Sequence, residues 1–556
     1  TGPRMQRQAH RSHPGNAMQH SRSLKDHFID PATGQLVVNG QPYLIRGIEV
    51  HNSTSSNADY LRPLWKRCAD ADVNTVLAPV SWELVEPQEG EFDFHLVDAM
   101  LDGAREHALK LVLLWFGSWK NGSSSYTPTW VKLDPVRFPL QIDEAGDPVH
   151  NLSPFSTANR DADAAAFAAF MEHLSRVDGR EKTVIMVQVE NEVGLLGAPR
   201  SYGADAASAW ADPVPASLAE ALRGGASPYV QAPDEPLAPT WDCLTGEGDR
   251  TAELFMAWHY ASYIQHVAAA GQARYDIPLF ANAWLDSIAP TEAKPADAAL
   301  AGGSAPGVFP SGGPLPHVSS AWKLAAPSIA FLAPDVYFGD FEIPFKGYAD
   351  TNTALFVPEM RADGHGISHS FLAIGKHGAI GVSPFGFDSL DDDATVDLRR
   401  TYAQLAALEK DILAAQPQGR VRGFRVSASQ EETLALGRYD FVVRAHSERG
   451  DGEKFGYGLL LRSDEDTYIA AGDNFTLGIR SQDGRPVAVL KAEELVDSKG
   501  GLRPRRRLNG DETFSGTGIR IAQNPASMHG FMLTSGIPSG VVRFSLYSLE
   551  IRPESW

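Results

Sequence analysis

Apolar positions along the chain fall into two regimes. From about residue 35 to 415, short runs that are almost continuously apolar alternate with longer amphipathic stretches. The runs are LIRGIEV (44–50), TVLAPVSW (75–82), KLVLLWFGSW (110–119), TVIMVQVE (183–190), PLFANAWL (278–285), IAFLAPDVYF (329–338), ALFVPEM (354–360) and GAIGVSPF (378–385). Runs of this length, rich in β-branched residues and without polar alternation, predict strands buried on both faces. Between them, Phe167, Phe170, Met171, Leu174 and Val177 share one helical face, and 251–274 and 395–415 predict two further helices. Asp161 and Asp163 stand near the start of the first of these helices, where carboxylates suit the helix dipole. Eight strands separated by helices predict an α/β fold, a (β/α)8 barrel. The rival is an open doubly wound sheet, but no GxGxxG opens the first unit.

After about residue 420 the pattern changes to segments such as TLALGRYDFVVRA, KFGYGLLLRS and VVRFSLYSLEI, broken by Gly, Asp and Asn turns. These predict antiparallel strands in a sandwich-like arrangement. The expected organisation is an N-terminal arm over 1–30, a barrel over 31–418 and a β-rich domain over 419–556. Two Ala-, Pro- and Gly-rich insertions, 195–250 and 286–316, each follow a strand. In a barrel that places both on the C-terminal face, where βα loops shape substrate sites.

Charge and composition narrow the function classes. The 556 residues carry 49 basic and 69 acidic side chains, a net charge of −20, which repels phosphate backbones and argues against nucleic acid as a partner. No run of eighteen apolar residues is present, so no segment is expected to span a membrane. Residues 1–23 are polar and basic with no apolar stretch, so they are not a signal peptide as they stand. The compartment is left open, with periplasmic or secreted favoured if they replace a removed leader. Cys68 and Cys243 are the two cysteines, allow at most one bridge, and form no zinc spacing; whether they pair is not readable from sequence. With no HExxH and no EF-hand loop, neither a metal nor another cofactor is expected.

Chemistry concentrates at two strand ends. The fourth run ends in QVENEVG, giving Gln188, Glu190, Asn191 and Glu192, and strand alternation points Glu190 and Glu192 to one side. The seventh ends in VPEM, placing Glu359 at the same rim after a run of apolar residues and Pro. Carboxylates there are costly to bury without a task or a partner. Glu192 and Glu359 together make the two-carboxylate arrangement of glycoside hydrolysis. The alternative is that each pairs with a cation at the barrel mouth, for which Arg46 and Arg361 are at hand. Trp82, Trp115, Trp119 and Trp284 lie near strand ends, as core side chains or as platforms under a sugar ring.

GIEVHNS after the first strand, SWELVEPQEGEFDF after the second, QVENEVG and VPEM together resemble glycoside hydrolase family 35, over roughly residues 35–415. The β-rich tail resembles the extra domain of a bacterial subgroup that includes enzymes trimming galactosyl side chains from xyloglucan. The resemblance implies a retaining exo-β-galactosidase acting on a carbohydrate, with Glu192 as acid/base, Glu359 as nucleophile, Asn191 on the sugar 2-hydroxyl and Tyr337 orienting the nucleophile. Glu190 is then a support behind the acid, or a partner in a salt bridge with a neighbouring strand. The chain departs from the family in having Ser118 before Trp119, where many members carry an acidic residue, and LVEP where they carry HEP. Galactose recognition is therefore assembled differently, from Glu49, His51 and Asn52, Glu83, and Trp119, Lys120 and Asn121, with Trp284 as a platform. Glu86 before Pro87 reads as a structural turn. A β-glucosidase or β-mannosidase of the same barrel clan, or a glycan-binding protein without turnover, are the other readings. Oligomeric state is not readable.

Overall fold

The computed structural model describes residues 27–286, 303–446, 455–498, 501–508, 510–524, 526–528 and 531–549. Eight parallel strands close into a barrel in chain order: β1 (Ile45–Glu49), β2 (Thr75–Ser81), β3 (Lys110–Lys120), β4 (Val184–Asn191), β5 (Leu279–Trp284), β6 (Phe331–Val336), β7 (Val357–Met360) and β8 (Gly381–Pro384). All eight predicted runs are these strands, so the barrel expectation holds and the open sheet is excluded. Their residues are buried almost without exception, because one face fills the barrel and the other meets helices. The helices include α1 (Ala58–Asp70), α2 (His95–Glu106), α3 (Thr157–Asp178), α4 (Arg250–Gln272), α5 (Ser319–Ala325), α6 (Glu342–Thr351), α7 (Ser370–His377) and α8 (Val396–Ala415). The side chain of Ser156 caps α3 by accepting from the Asn159 amide at 3.3 Å, and Phe167, Phe170, Met171 and Leu174 bury the expected face.

A small antiparallel sheet of His27–Ile29, Leu36–Val38 and Gln41–Tyr43 precedes β1. Its Leu36 and Val38 join Ile45, Leu77 and Ile185 in the interior cluster and close the N-terminal end of the barrel. The expected arm lies outside the described residues up to residue 26, and the chain is already a strand at His27. The two insertions meet on the opposite, C-terminal face: Leu195 and Ser311 form a backbone bridge, and the Gly197 amide donates to the Gly307 carbonyl at 2.8 Å. Residues 287–302 of the second insertion lie outside the described residues. Both cysteines are free thiols, Cys68 buried on α1 and Cys243 exposed. Among the described residues no helix is long and apolar enough to cross a membrane.

Beyond α8 the chain forms a two-stranded sheet of Ala526–Met528 and Phe531–Thr534 and two larger antiparallel sheets. In chain order the strands of the larger sheets are β9 (Val421–Ser427), β10 (Glu431–Leu436), β11 (Tyr439–Ala445), β12 (Phe455–Arg462), β13 (Thr467–Asp473), β14 (Phe475–Ser481), β15 (Val487–Val496), β16 (Arg503–Arg507), β17 (Gly518–Ile521) and β18 (Val541–Ser548). One sheet has the order β9-β12-β13-β18-β15-β16, the other β10-β11-β14-β17. Alternation assigns the two faces of the larger sheet: Leu460, Tyr468 and Ala470 fill the space between the sheets, whereas Leu459, Leu461, Ile469 and Ala471 join the barrel's hydrophobic cluster. The seam also holds a polar tie, since Gln404 on α8 donates to the carbonyls of Gly472 and Ser539 at 3.2 and 3.0 Å.

Close packing of α7 on β9 depends on one missing side chain. A Cβ at Gly423 would lie 1.9 Å from the Phe371 carbonyl oxygen, a backbone atom that cannot swing aside. Gly423→Ala is therefore expected to lower stability by about 2–3 kcal/mol, read as an earlier thermal midpoint. Gly478→Ala, whose new methyl meets nothing nearer than 3.8 Å, is the control that should stay near wild type.

Candidate active site

The acidic cluster is assembled from the C-terminal ends of five strands. Glu49 ends β1, Lys120 ends β3, Asn191 ends β4 with Glu192 next, Asp335 lies in β6 and Glu359 in β7. Strand register levels three of the contributors, pairing Trp284 of β5 with Asp335 and Asp335 with Glu359. Carboxylate oxygens of Glu192, Asp335 and Glu359 all lie within 4.8 Å of one another. Tyr337, one residue past β6, donates its hydroxyl to Glu359 Oε1. Asn282 of β5 donates to Asp335 Oδ2 at 2.6 Å and accepts from the Glu192 amide at 3.0 Å, fixing both neighbours of the nucleophile candidate. Lys120 donates to Asn191 Oδ1 at 2.9 Å.

Four buried carboxylates and one ammonium cannot all hold ordinary protonation states in so small a volume. Burial, then the charge of Glu359, pushes Glu49 well above the carboxylate range, against the pull of Lys120. Burial and the charges of Glu359, Glu192 and Glu49 do the same to Asp335. Glu192 is pushed up to about 7 by burial and by Glu359, held back by Lys120 and by a hydrogen bond with Asp335. Burial opposes the Lys120 ammonium, but the surrounding carboxylates outweigh it and hold the proton on. The cluster thus favours the protonated forms of Glu49 and Asp335, with Glu192 near its midpoint at neutral pH and the Lys120 ammonium retained. Glu192, Asp335 and Glu359 are the group among the described residues whose oxygens approach closely enough to hold a cation. Lys120 already supplies positive charge at that spot.

Five polar atoms of the cluster and its neighbours Asn191 and Trp284 are buried without a protein partner among the described residues: Glu49 Oε1, Asn191 Nδ2, Trp284 Nε1, Asp335 Oδ1 and Glu359 Oε2. Buried polar atoms left unpaired cost free energy, and several converging on one spot mark a place where a polar ligand completes the bonding.

Several expected positions lie elsewhere. Neither arginine pairs with the candidate carboxylates: Arg46 binds Glu409 and the Asp72 carbonyl, and Arg361 binds Asp363. Trp119 is fully buried, donates to the Leu152 carbonyl at 3.1 Å and packs on Tyr260 and Tyr263, so it is core and not a sugar platform. Trp82 and Trp115 are likewise buried, tied to Glu86 at 2.8 Å and Asp163 at 2.9 Å. Glu86 also accepts from the Gly90 amide at 2.7 Å, as a structural turn requires. Glu83 is half-exposed and pairs with Lys132 at 3.1 Å. His51 stands at the rim, bonded to Ser389 Oγ at 2.6 Å with its ring edge-on to Phe385. Glu190 does not share a side with Glu192. Both residues have positive φ, 63° and 45°, which breaks the alternation of an extended strand, and Glu190 turns into the layer between strands and helices beside Asp163.

Fold and acidic rim define the class: a (β/α)8 barrel with paired carboxylates at the catalytic face. Residues 57–220 match the family model of glycoside hydrolase family 42, described as Beta-galactosidase. A curated relative, a β-galactosidase of Xanthomonas manihotis, is 28% identical over 178 residues, 31% of this chain and 27% of its own length. The chain thus spans about a quarter of that relative. Among solved structures, the catalytic domain of β-amylase from Paenibacillus polymyxa aligns at a TM-score of 0.46 and 12% identity, over 64% of this chain and 96% of its own. A β-galactosidase from the psychrophilic Marinomonas ef1 aligns at 0.45 and 14%, over 67% and 61%. Residues 398–520 match a family described as a domain of unknown function. The model that matches residues 57–220 is that of family 42, where the motifs pointed to family 35.

Proposed function

We propose that the protein is a retaining exo-β-galactosidase that removes terminal β-galactosyl residues from oligo- or polysaccharides, xyloglucan side chains among them. The observation that carries this reading is the approach of the Glu192 and Glu359 oxygens to within 4.8 Å. Inverting enzymes need roughly 6.5–9.5 Å between the carboxyl groups to admit a water, whereas retaining ones hold them about 5–5.5 Å apart. Glu359 is the nucleophile. Tyr337 holds one of its oxygens, leaving Oε2, which has no protein partner, to bond the anomeric carbon. Glu192, half protonated near pH 7, gives its proton to the departing glycosidic oxygen. The galactosyl ester removes the charge of Glu359, so Glu192 loses part of what raised it and becomes a base for the incoming water, whose attack releases Glu359. Asn191 Nδ2, Glu49 Oε1 and Trp284 Nε1 are the polar atoms that sugar hydroxyls would satisfy. The finer assignment to family 35 rests on QVENEVG and VPEM, and the xyloglucan reading on the resemblance of the β-rich tail.

Proton NMR of the anomer first released from an aryl β-galactoside tests the mechanism: β-galactose supports retention, and α-galactose overturns it. A panel of aryl β-galactoside, β-glucoside and β-mannoside with galactosylated xyloglucan oligosaccharides tests the substrate. A pH profile follows from the electrostatics. Activity requires Glu192 protonated, so kcat/KM, which reports the free enzyme, is expected to fall above a basic limb near pH 7. Initial rates from pH 4 to 10 locate that limb, and a plateau extending past pH 9 would contradict the assignment.

A further inference from the structure

Strand β3 is interrupted where it reaches the active site. Trp115 pairs with Val189, and the next pair is Lys120 with Asn191, so five steps along β3 answer two along β4. Residues 116–119 form a wide bulge. An unpaired bulge leaves backbone amides without ladder partners, and here two of them end on buried carboxyl groups. The Ser118 amide donates to Glu190 Oε1 at 3.2 Å and to Asp163 Oδ2 at 3.1 Å, and the Trp119 amide donates to Glu190 Oε2 at 2.7 Å. Ser118 Oγ reaches Asp163 Oδ2 at 2.6 Å, and the Trp115 indole donates to Asp163 Oδ1 at 2.9 Å. Gly117 permits the approach: a Cβ there would stand 2.6 Å from Glu190 Oε1 and 2.7 Å from Asp163 Oδ1. The first residue after the bulge is Lys120, the ammonium of the acidic cluster.

We propose that Glu190 and Asp163 are positioning residues for the hydrolysis: a buried carboxyl pair sharing one proton that clamps the β3 bulge and so delivers the Lys120 ammonium to Glu192 and Glu359. Neither residue touches the reacting atoms, and the proposal rests on the roles given above to Glu192 and Glu359. Two carboxylates this close cannot both ionise in a dry layer, and burial together with Asp163 holds the proton on Glu190. The groups facing the pair are Tyr263 of α4, hydrogen-bonded to Ser118 Oγ at 2.6 Å and itself acted on by Arg160, and at longer range Glu86. Those facing Glu192 are Glu49, Lys120, Asp335 and Glu359, with Tyr337 on Glu359.

The consequence is a pH signature that a merely structural role would not give. Lys120 holds Glu192 down, so releasing the bulge lets Glu192 rise. Glu190→Ala is expected to move the basic limb of kcat/KM up by about one pH unit, with kcat/KM at pH 6 lowered about 100-fold by misplacement of the cluster. Lys120→Met should give the same limb shift, and the double variant no more than either alone, because both act through one ammonium. Glu190→Gln should restore the wild-type limb. Its amide can donate to Asp163 as the shared proton does, its carbonyl still accepts from Trp119, and Ser118 retains Asp163. Should Glu190→Ala fail to fold, Glu190→Asp, which retracts the carboxyl by one methylene, takes its place with a smaller shift in the same direction. A carbon-13 titration of the Glu192 carboxyl, assigned by loss of its signal in Glu192→Gln, reads the same shift with no substrate present. An unmoved Glu192 titration in the Glu190 variant, or additive shifts in the double variant, overturns the clamp. A moved titration in a protein that hydrolyses no β-galactoside supports the clamp and sinks the proposed activity.

Discussion

Glu359→Gln is expected to lower kcat on an aryl β-galactoside by about four orders of magnitude, ~5.4 kcal/mol of barrier at 1.36 kcal/mol per tenfold. Two effects add. The carboxamide forms no galactosyl ester, so the double displacement loses its first bond. It also carries no charge, and the charge of Glu359 is one cause of the raised Glu192. Glu192 therefore falls toward the ordinary carboxylate range and is largely deprotonated at neutral pH, when it should be an acid. The fold should tolerate the change. Gln keeps a carbonyl oxygen for the Tyr337 hydroxyl, and one negative charge leaves a cluster of four buried carboxylates whose repulsion is held against stability for the sake of function. The thermal midpoint is thus expected to be unchanged or raised while turnover collapses. A variant that keeps kcat within tenfold of wild type would remove Glu359 from the mechanism.

The barrel was legible because its strands are buried on both faces, so that a run such as KLVLLWFGSW is apolar almost throughout and recurs eight times between helices. Glu359 stood out for the same reason, an acidic residue in an apolar strand. The signal applied equally to Asp335 in IAFLAPDVYF and to Asn282 in PLFANAWL, neither of which the motif reading singled out, and both lie in the cluster. What the pattern could not give was side-chain direction where the strands stop being regular. Alternation placed Glu190 beside Glu192, but positive φ at both turns them apart. The same irregularity on β3 sends Trp119 into the core and Lys120 into the site, reversing the emphasis that their positions suggested. Asp163 read as a helix-dipole partner because it lies near the start of α3; its actual partners are a Trp indole and a bulged amide some 45 residues earlier in the chain. Bulges are set by long-range hydrogen bonding, which no local period encodes.

Glu192→Ala separates the two halves of the mechanism. A sugar leaving group departs as a poor alkoxide unless it is protonated, so kcat/KM on a galactosylated oligosaccharide is expected to fall by about 10³–10⁴, the upper range for general acid catalysis. A dinitrophenolate needs no proton to leave, so formation of the galactosyl ester from a dinitrophenyl galactoside should be nearly preserved. Its hydrolysis is not, because the base that activates water is the same residue. The ester then accumulates, visible as a burst of dinitrophenolate and as a mass increase on the protein. Azide, a nucleophile that needs no base, should release it as the galactosyl azide of β configuration. The limb near pH 7 should vanish from the profile with the group that produces it. Glu359→Gln gives the opposite pattern, slow on both substrates with no burst and no azide rescue of a β product. Equal losses on the oligosaccharide and the dinitrophenyl galactoside in Glu192→Ala, with no burst, would take the acid/base role away from Glu192 and pass it to Asp335, the other carboxyl within 4.8 Å of Glu359.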